Sequence, residues 1–173
     1  MSFLNSTTMK LSMIALLAAI ICPIAGHSQQ EPVKVLSITD GQQLLVEVND
    51  YGRAVRLACL QAPRSSQQPW ADRAKAVLNN YVKRGDQALF ELRSRDVYGR
   101  LVGRLFVNGK DLGAQLVRDG SVMAWDGFLG RCDDLNYSEL EKNAVDAGLG
   151  LWSAFPALKR PWDVMEATGG GEP

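Results

Sequence analysis

The feature that most restricts the fold is a series of short apolar stretches separated by tight-turn signals. Residues 33–39, "VKVLSIT", and residues 43–49, "QLLVEVN", are β-branched or alternating runs joined by the turn-forming "DGQ". The turn "NDYG" then leads into a third run at 53–61, "RAVRLACLQ". Because alternation of this length is typical of strands, the first part of the domain is predicted to be a three-stranded meander.

The following segments alternate between helical and extended patterns. A helix is predicted after Pro69, because proline is favoured in a first turn and apolar residues then recur at helical spacing, at Trp70, Ala74, Val77, Leu78 and Tyr81. Strands are predicted at 88–95 and 101–107, and further helices from Asp111 and Asn136, the last with a capping-box-like start. The order β-β-β-α-β-β-α-α predicts an α+β, mainly β fold: a five-stranded OB-fold barrel with three helices.

The first thirty residues differ in character from the rest of the chain. Lys10 precedes "LSMIALLAAIICPIAG", whose apolar run of about 14 residues is too short to span a bilayer and is followed by small residues. This pattern predicts a signal peptide over residues 1–28, with an uncleaved anchor as the alternative. The mature chain is then expected to be exported to the periplasm or the medium, with no transmembrane domain.

The charged residues set limits on function. One of the 19 basic residues lies in this leader, which leaves 18 basic against 19 acidic side chains. Such a balance gives no general attraction to nucleic acid, so any affinity for phosphate requires a local cluster of cations. The only histidine, His27, is also in the leader. The mature domain therefore cannot use a Ser-His or Cys-His nucleophile or a His-ligated metal.

Cysteine usage agrees with export. Removal of the leader removes Cys22 and leaves Cys59 and Cys132. In an oxidising compartment such a pair favours a disulfide, with one buried and one surface thiol as the alternative. The bridge would close a loop of about 73 residues and stabilise the fold by about 4 kcal/mol in the chain-entropy model.

Four blocks of sequence occur in an informative order: "ITDGQQLLVEV", "VRLACLQAPR", "DVYGRLVGRLFVNGKDLGAQLVRDG" and "YSELEKNAVDAGLGLWS". Together they resemble the staphylococcal-nuclease-like (thermonuclease) domain over residues 33–153. The resemblance implies an OB-fold barrel with three helices and Ca²⁺-dependent cleavage of DNA and RNA. "RPWD" and the paired cysteines look like an exported bacterial branch of the family. Residues 154–173 are predicted to be a tail that crosses the domain, packs Trp162 and ends disordered.

The resemblance also implies roles for individual residues. In the family, acids hold Ca²⁺, a glutamate activates water and two arginines stabilise the five-coordinate transition state. Arg56 matches the arginine of the "RL" strand and Arg100 that of "YGR", so both catalytic arginines are kept. Gln42 stands at the second acid of the "DGD" turn, and Gln61 at the acid of the "DAPE"-like turn. Arg64 occupies the position of the glutamate base.

These replacements argue against a calcium site. Ca²⁺ requires several oxygen ligands, preferably charged ones, and two carboxylates have become amides at Gln42 and Gln61. A cation about 4 Å from another charge interacts by roughly 4 kcal/mol at an effective dielectric of about 20, so Arg64 repels a metal. Arginine cannot act as a base at neutral pH. Asp40 is kept, but in the family it is the neighbouring turn acid rather than a main ligand. We therefore predict no metal, no cofactor and impaired hydrolysis.

The arginines suggest a different role. Arg56, Arg64 and Arg100 are predicted to form a metal-free pocket for phosphate or sulfate, because guanidinium forks match such oxyanions. Its ligand would be nucleic acid or another oxyanion. As alternatives, Arg56 would pair with Glu47, and Arg64 would meet Asp72. Two other functions stay open: an active endonuclease with a modified metal site, and a module that binds a protein partner.

Overall fold

A computed structural model describes residues 29–125, 131–154 and 158–167 of the 173 residues. The predicted signal peptide, 1–28, and the end of the tail, 168–173, lie outside these ranges. The strands are β1 (Gln30–Ile38), β2 (Gln43–Val48), β3 (Tyr51–Leu57), β4 (Leu60–Gln61), β5 (Gln87–Arg95), β6 (Leu101–Val107), β7 (Lys110–Asp111) and β8 (Met123–Ala124). The helices are α1 (Trp70–Tyr81), α2 (Leu112–Arg118), α3 (Tyr137–Asp146), a 3-10 helix (Gly150–Ala154) and α4 (Pro161–Ala167).

Five of these strands close into a barrel. They follow the order β3-β2-β1-β5-β6 with antiparallel neighbours, and β6 returns to pair with β3 in parallel, at Val55 with Leu101 and Leu57 with Gly103. This closure confirms the predicted OB-type barrel, and α1, α2 and α3 are its three predicted helices. Within the described ranges, no helix has both the length and the apolar character needed to cross a membrane.

Every second side chain along the strands points into the barrel and fills its interior. Val35, Leu44, Val46 and Phe90 point inward and are at most 1% exposed. Gly103 of β6 is required for this packing, because a Cβ there would lie 2.2 Å from the Glu91 carbonyl oxygen and 2.6 Å from the Phe90 ring. The period-two pattern of the sequence therefore corresponds to the core of the barrel.

The third predicted strand is broken in the structure. Pairing of β3 ends at Leu57, Cys59 adopts a left-handed φ of 62°, and the chain turns into β4, which pairs with β8. Cys59 is bonded to Cys132, 73 residues away, so the predicted disulfide is present. This turn redirects the chain from the barrel wall toward α1.

Two helical details differ from expectation. Asn136 makes no side-chain cap hydrogen bond at the start of α3, so the capping box is not formed. The tail contains α4, which the sequence pattern did not predict, since seven residues are too few to show a helical period.

The tail packs back on the domain through aromatic contacts. The Trp162 ring stacks on Trp125 with centroids 6.4 Å apart. The guanidinium of Arg160 lies 5.4 Å from the ring centroid of Trp152 and 5.1 Å from that of Trp162. Trp162 and Arg160 therefore attach this part of the tail to the domain.

Candidate functional site

A cavity of about 270 Å³ lies where the β1–β2 turn, the turn after β4 and α1 meet. The barrel supplies two rigid strand ends, and α1 closes the third side. The two turns belong to the sequence blocks "ITDGQQLLVEV" and "VRLACLQAPR". The lining residues are Thr39, Asp40, Gln42, Gln43, Ala62, Pro63, Arg64, Ser65, Gln68, Ala71, Asp72 and Lys75.

The β1–β2 turn is organised by Asp40. Its Oδ1 accepts hydrogen bonds from the backbone N–H groups of Gln42 and Gln43, both at 2.8 Å, and its Oδ2 accepts one from Gln43 Nε2 at 2.8 Å. The intervening Gly41 is packed so closely against α1 that a Cβ would lie 2.6 Å from that of Ala74. The Asp40 carboxylate is thus committed to holding the turn.

The two glutamines at former acid positions have separate environments. Gln42 is 6% exposed and lines the cavity, and its Oε1 accepts a hydrogen bond of 2.7 Å from the backbone N–H of Ala62. That bond joins the two turns. Gln61 is 1% exposed, and its Oε1 has no hydrogen-bond partner among the described residues. Gln61 is not part of the cavity lining, although the next residue, Ala62, is.

Arg64 lines the cavity and contacts the tail. Its backbone N–H donates to Gln67 Oε1 at 2.9 Å, and its Nε donates to the carbonyl of Pro161 at 3.4 Å. Gln67 also donates through Nε2 to the carbonyl of Lys159 at 2.7 Å. The tail therefore holds the turn that carries Arg64.

The structure adds one cation that the sequence reasoning missed. Lys75 of α1 lines the same cavity as Arg64. The sequence contained one signal for this residue: Lys75 is one helical turn after Ala71 and close to Asp72. It therefore lies on the face of α1 that begins next to the 62–65 segment. This signal becomes informative only once α1 is known to cover that segment.

Arg56 is the largest fully buried side chain, at 1% exposure. On β3 it lies between Gln43 of β2 and Val102 of β6, and its guanidinium is 5.8 Å from the ring centroid of Trp125. Burial separates it from the lining of the cavity, to which its neighbour Gln43 belongs.

Arg100 is held at the edge of the cavity by two side chains. Its Nε donates to Asp96 Oδ2 at 2.5 Å, and its Nη1 donates to Gln43 Oε1 at 2.8 Å. The guanidinium also lies 5.1 Å from the ring centroid of Tyr98. Arg64 therefore lines the cavity, while Arg100 and Arg56 are both neighbours of Gln43 in that lining. The joint oxyanion role of these three arginines stays a prediction.

Asp96 controls the position of Arg100. Burial raises the pKa of Asp96, but hydrogen bonds from the side chain and backbone of Arg100, together with its charge, outweigh burial and hold the pKa below the usual carboxylate range. The Oδ1 of Asp96 also accepts from the backbone N–H groups of Tyr98 and Arg100, at 3.0 and 2.9 Å. The carboxylate thus closes the 96–100 loop around the arginine.

The contribution of Asp96 should appear as a pH-dependent difference in stability between the Asp96→Ala variant and the natural chain. At pH 7 Asp96→Ala is expected to lower the free energy of unfolding by about 1–3 kcal/mol, since hydrogen bonds to a charged acceptor are lost. A carboxylate whose pKa is lowered by folding contributes its full stabilisation to the fold above the unfolded-state pKa. That contribution is lost as the pH falls through the folded-state pKa. The difference from the natural chain should therefore shrink below about pH 3.9.

Urea unfolding at pH 7 and pH 3 measures this difference. The control is Asp133→Ala, which removes an acid that is 74% exposed in a surface pair with Arg131. It should change stability by less than about 0.5 kcal/mol. An Asp96→Ala deficit of the same size at both pH values would contradict the account.

The donor set around the cavity does not fit calcium. Ca²⁺ takes about 6–8 oxygen ligands, whereas the Asp40 oxygens hold the turn and Gln42 Oε1 is bonded to Ala62. Gln61 Oε1 is a single neutral acceptor outside the lining. In the described part of the chain, no three Asp, Glu, His or Cys side chains are grouped closely enough to hold a metal ion.

Comparison with known proteins relates this arrangement to a nuclease family. The family model described as "Staphylococcal nuclease homologue" matches residues 54–154. A protein of Shigella flexneri named micrococcal nuclease is 32% identical over 143 residues, which cover 78% of this chain and 80% of the relative. The matched region contains Arg56, Gln61, Arg64 and Arg100.

Proposed function

The chain belongs to the staphylococcal nuclease homologue family, and on that premise we propose that it is an exported domain that binds nucleic-acid phosphates and is impaired in Ca²⁺-dependent hydrolysis. One observation carries the proposal. Gln42 and Arg64, which the resemblance aligns with acids of the family motif, line one cavity together with a second cation, Lys75.

The charges of the cavity favour an anion. Arg64 provides a planar fork that matches two phosphate oxygens, and Lys75 provides a compact positive charge. The opposing acids compete weakly: Asp40 is engaged by three N–H donors of its own turn, and Asp72 is exposed, so water screens its charge. Arg100, fixed at the edge by Asp96, adds a further donor group.

The same residues disfavour hydrolysis. Arg64 occupies the position of the family's base and remains protonated at neutral pH, so it cannot accept a proton from water. The amides of Gln42 and Gln61 lack the negative charge that would hold a divalent cation. Arg56 and Arg100 could still stabilise a transition state, but there would be no activated nucleophile to attack the phosphate.

Export is supported by the leader and by the disulfide. A bridge between Cys59 and Cys132 persists in an oxidising compartment and is rare in the cytosol. Together with the apolar leader that follows Lys10, it favours the periplasm or the medium as the destination.

Binding without metal is the first expected result. A fluorescently labelled single-stranded oligonucleotide should bind the mature chain at low salt in the presence of chelator, as measured by anisotropy. Arg64→Ala is expected to weaken binding about tenfold and to lower the slope of log affinity against log salt by about 0.7, the value for one phosphate contact on a single strand. Arg84→Ala, which removes an exposed arginine outside the cavity, should leave affinity nearly unchanged.

Digestion of plasmid and single-stranded DNA with Ca²⁺, Mn²⁺ or chelator is the companion measurement. The natural chain is expected to cut neither substrate. Cleavage that chelator abolishes would establish an active nuclease with a different metal arrangement. Absence of oligonucleotide binding at low salt would overturn the binding proposal.

A further inference from the structure

A second groove, of about 400 Å³, lies beside the hairpin that joins β2 and β3. Tyr51 and Leu92, which are 67% and 43% exposed, contribute its apolar surface. Arg53 and Arg95 contribute two exposed cations, against one acid, Glu31. The groove therefore combines an accessible aromatic face with a net positive charge.

The two cations of this groove are available to a ligand. Arg53 projects from β3 opposite Val46, and Arg95 ends β5 opposite Leu101. Neither guanidinium makes a hydrogen bond or an ion pair with any residue that the structure describes. Arginines in a folded domain more commonly pair with a carboxylate, as Arg104 does with Asp111 at 2.8 Å. Structural pairing thus does not account for Arg53 and Arg95.

The combination of groups selects a class of ligand. An aromatic ring beside free guanidiniums matches a single-stranded nucleic acid, whose bases stack and whose phosphates pair with arginine. Inorganic phosphate would use the cations but would leave Tyr51 and Leu92 exposed. A double helix hides its bases within the stack and so offers no free base to Tyr51.

The groove and the phosphate cavity share no lining residue, but neighbouring residues of one chain segment connect them. Leu101 lines the groove and directly follows Arg100, which is bonded to Gln43 in the lining of the cavity. Tyr98, on the same loop, is 58% exposed with its ring beside Arg100. Along β3, Arg53 and the buried Arg56 are three residues or about 10 Å apart, and their side chains point to opposite faces of the strand. A strand that leaves the cavity at Arg100 would reach the groove within the roughly 4–16 nucleotides that an OB fold covers.

We propose that the groove lined by Tyr51, Arg53, Leu92 and Arg95 is a second contact region for a single-stranded polynucleotide whose phosphate occupies the cavity. This inference rests on the proposed function. Arg53 and Arg95 pair with successive phosphates, and Tyr51 stacks on a base between them. The groove contributes to affinity for long strands and leaves the binding of short ones unchanged.

Anisotropy with labelled oligothymidylates of two and twelve nucleotides tests the groove, with chelator present. Arg53→Ala/Arg95→Ala is expected to weaken binding of the twelve-nucleotide strand at least tenfold and to lower its salt slope by about 1.4, the value for two phosphate contacts. The matched control, Arg84→Ala/Lys110→Ala, removes the same charge from exposed positions outside the groove and should have little effect. Tyr51→Ala should weaken binding at least fivefold without changing the salt slope.

The two strand lengths separate failure of the groove from failure of the cavity. Equal affinity for both lengths, or equal losses in the groove variant and its matched control, would overturn the groove while the cavity proposal stands. Binding of neither length by the natural chain would instead overturn the proposed function. An unlabelled acidic polysaccharide that competed as well as a strand of the same charge would show an anion site without base contacts, which also contradicts the proposal.

Discussion

The triple variant Gln42→Asp, Gln61→Asp, Arg64→Glu is expected to cut single-stranded DNA in Ca²⁺ at least about 100-fold faster than the natural chain, because a positioned general base alone contributes about 10²–10⁴. Two of the changes restore negative oxygens where the family motif has calcium ligands. The third removes a cation and supplies a group that can accept a proton from water. Digestion assays with and without chelator measure the gain.

The scaffold around these positions supports this expectation. Gln42 lies in the β1–β2 turn and Gln61 ends β4, and the 2.7 Å bond from Ala62 N–H to Gln42 Oε1 holds the two segments together. Arg56 and Arg100, which the resemblance matches to the family's two transition-state arginines, are fixed by β3 and by Asp96. The natural chain lacks acids at the three positions, 42, 61 and 64, where the family motif carries them.

Calcium should also stabilise the variant in a way that requires no substrate. Gln61 is 1% exposed, so a carboxylate at this position is buried and destabilising until a cation joins it. Ligand at 100 times its Kd stabilises a folded protein by about 2.7 kcal/mol. We expect Ca²⁺ to raise the Tm of the triple variant and to leave that of the natural chain unchanged.

A charge-free control separates geometry from electrostatics. Gln42→Asn, Gln61→Asn, Arg64→Gln alters the same three positions without adding a carboxylate, and it should gain neither cleavage nor a Ca²⁺-dependent Tm. Cleavage by the natural chain at the rate of the triple variant would show that Gln42, Gln61 and Arg64 do not disable the site, which would remove the basis for impaired hydrolysis.

The strands of the barrel could be predicted from the sequence because the patterns that mark them are local. Alternating apolar residues and turns such as "DGQ" mark β1 and β2 directly, and apolar spacing marks α1. The break in the third strand was not accessible, since cysteine is not a typical residue for the left-handed conformation that Cys59 adopts. The short α4 was missed because its stability comes from packing of Trp162 rather than from a repeating pattern.

The site was only partly predictable for a related reason. Motif spacing placed Gln42 and Arg64, which the fold brings to one cavity. It could not show that Arg56 is buried or that Gln43 links Arg100 to the cavity, because those facts depend on strand register. Lys75 was missed since its relevance depends on how α1 packs over the turn.

Removal of the disulfide is expected to cause the largest loss of stability. Cys59→Ala/Cys132→Ala should lower the free energy of unfolding by about 4 kcal/mol, because the bridge restrains a 73-residue loop in the unfolded chain. That loop contains α1, β5, β6 and α2, whereas β1, β2 and β3 precede it. Equilibrium denaturation measures the loss, and reduction of the natural chain should reproduce it. A loss below about 1 kcal/mol would contradict the entropic account.

Kinetics can show whether the loop that the disulfide closes has already formed in the folding transition state. Arg93 holds the segment next to Cys132 by a 2.8 Å ion pair with Asp134, so the folded arrangement there should persist without the bridge. The stabilisation then comes mainly from the restrained unfolded chain, and the variant should fold more slowly while its unfolding rate changes little. A variant that folds at the natural rate but unfolds about 1,000-fold faster would instead show that the loop between Cys59 and Cys132 is still open in the folding transition state.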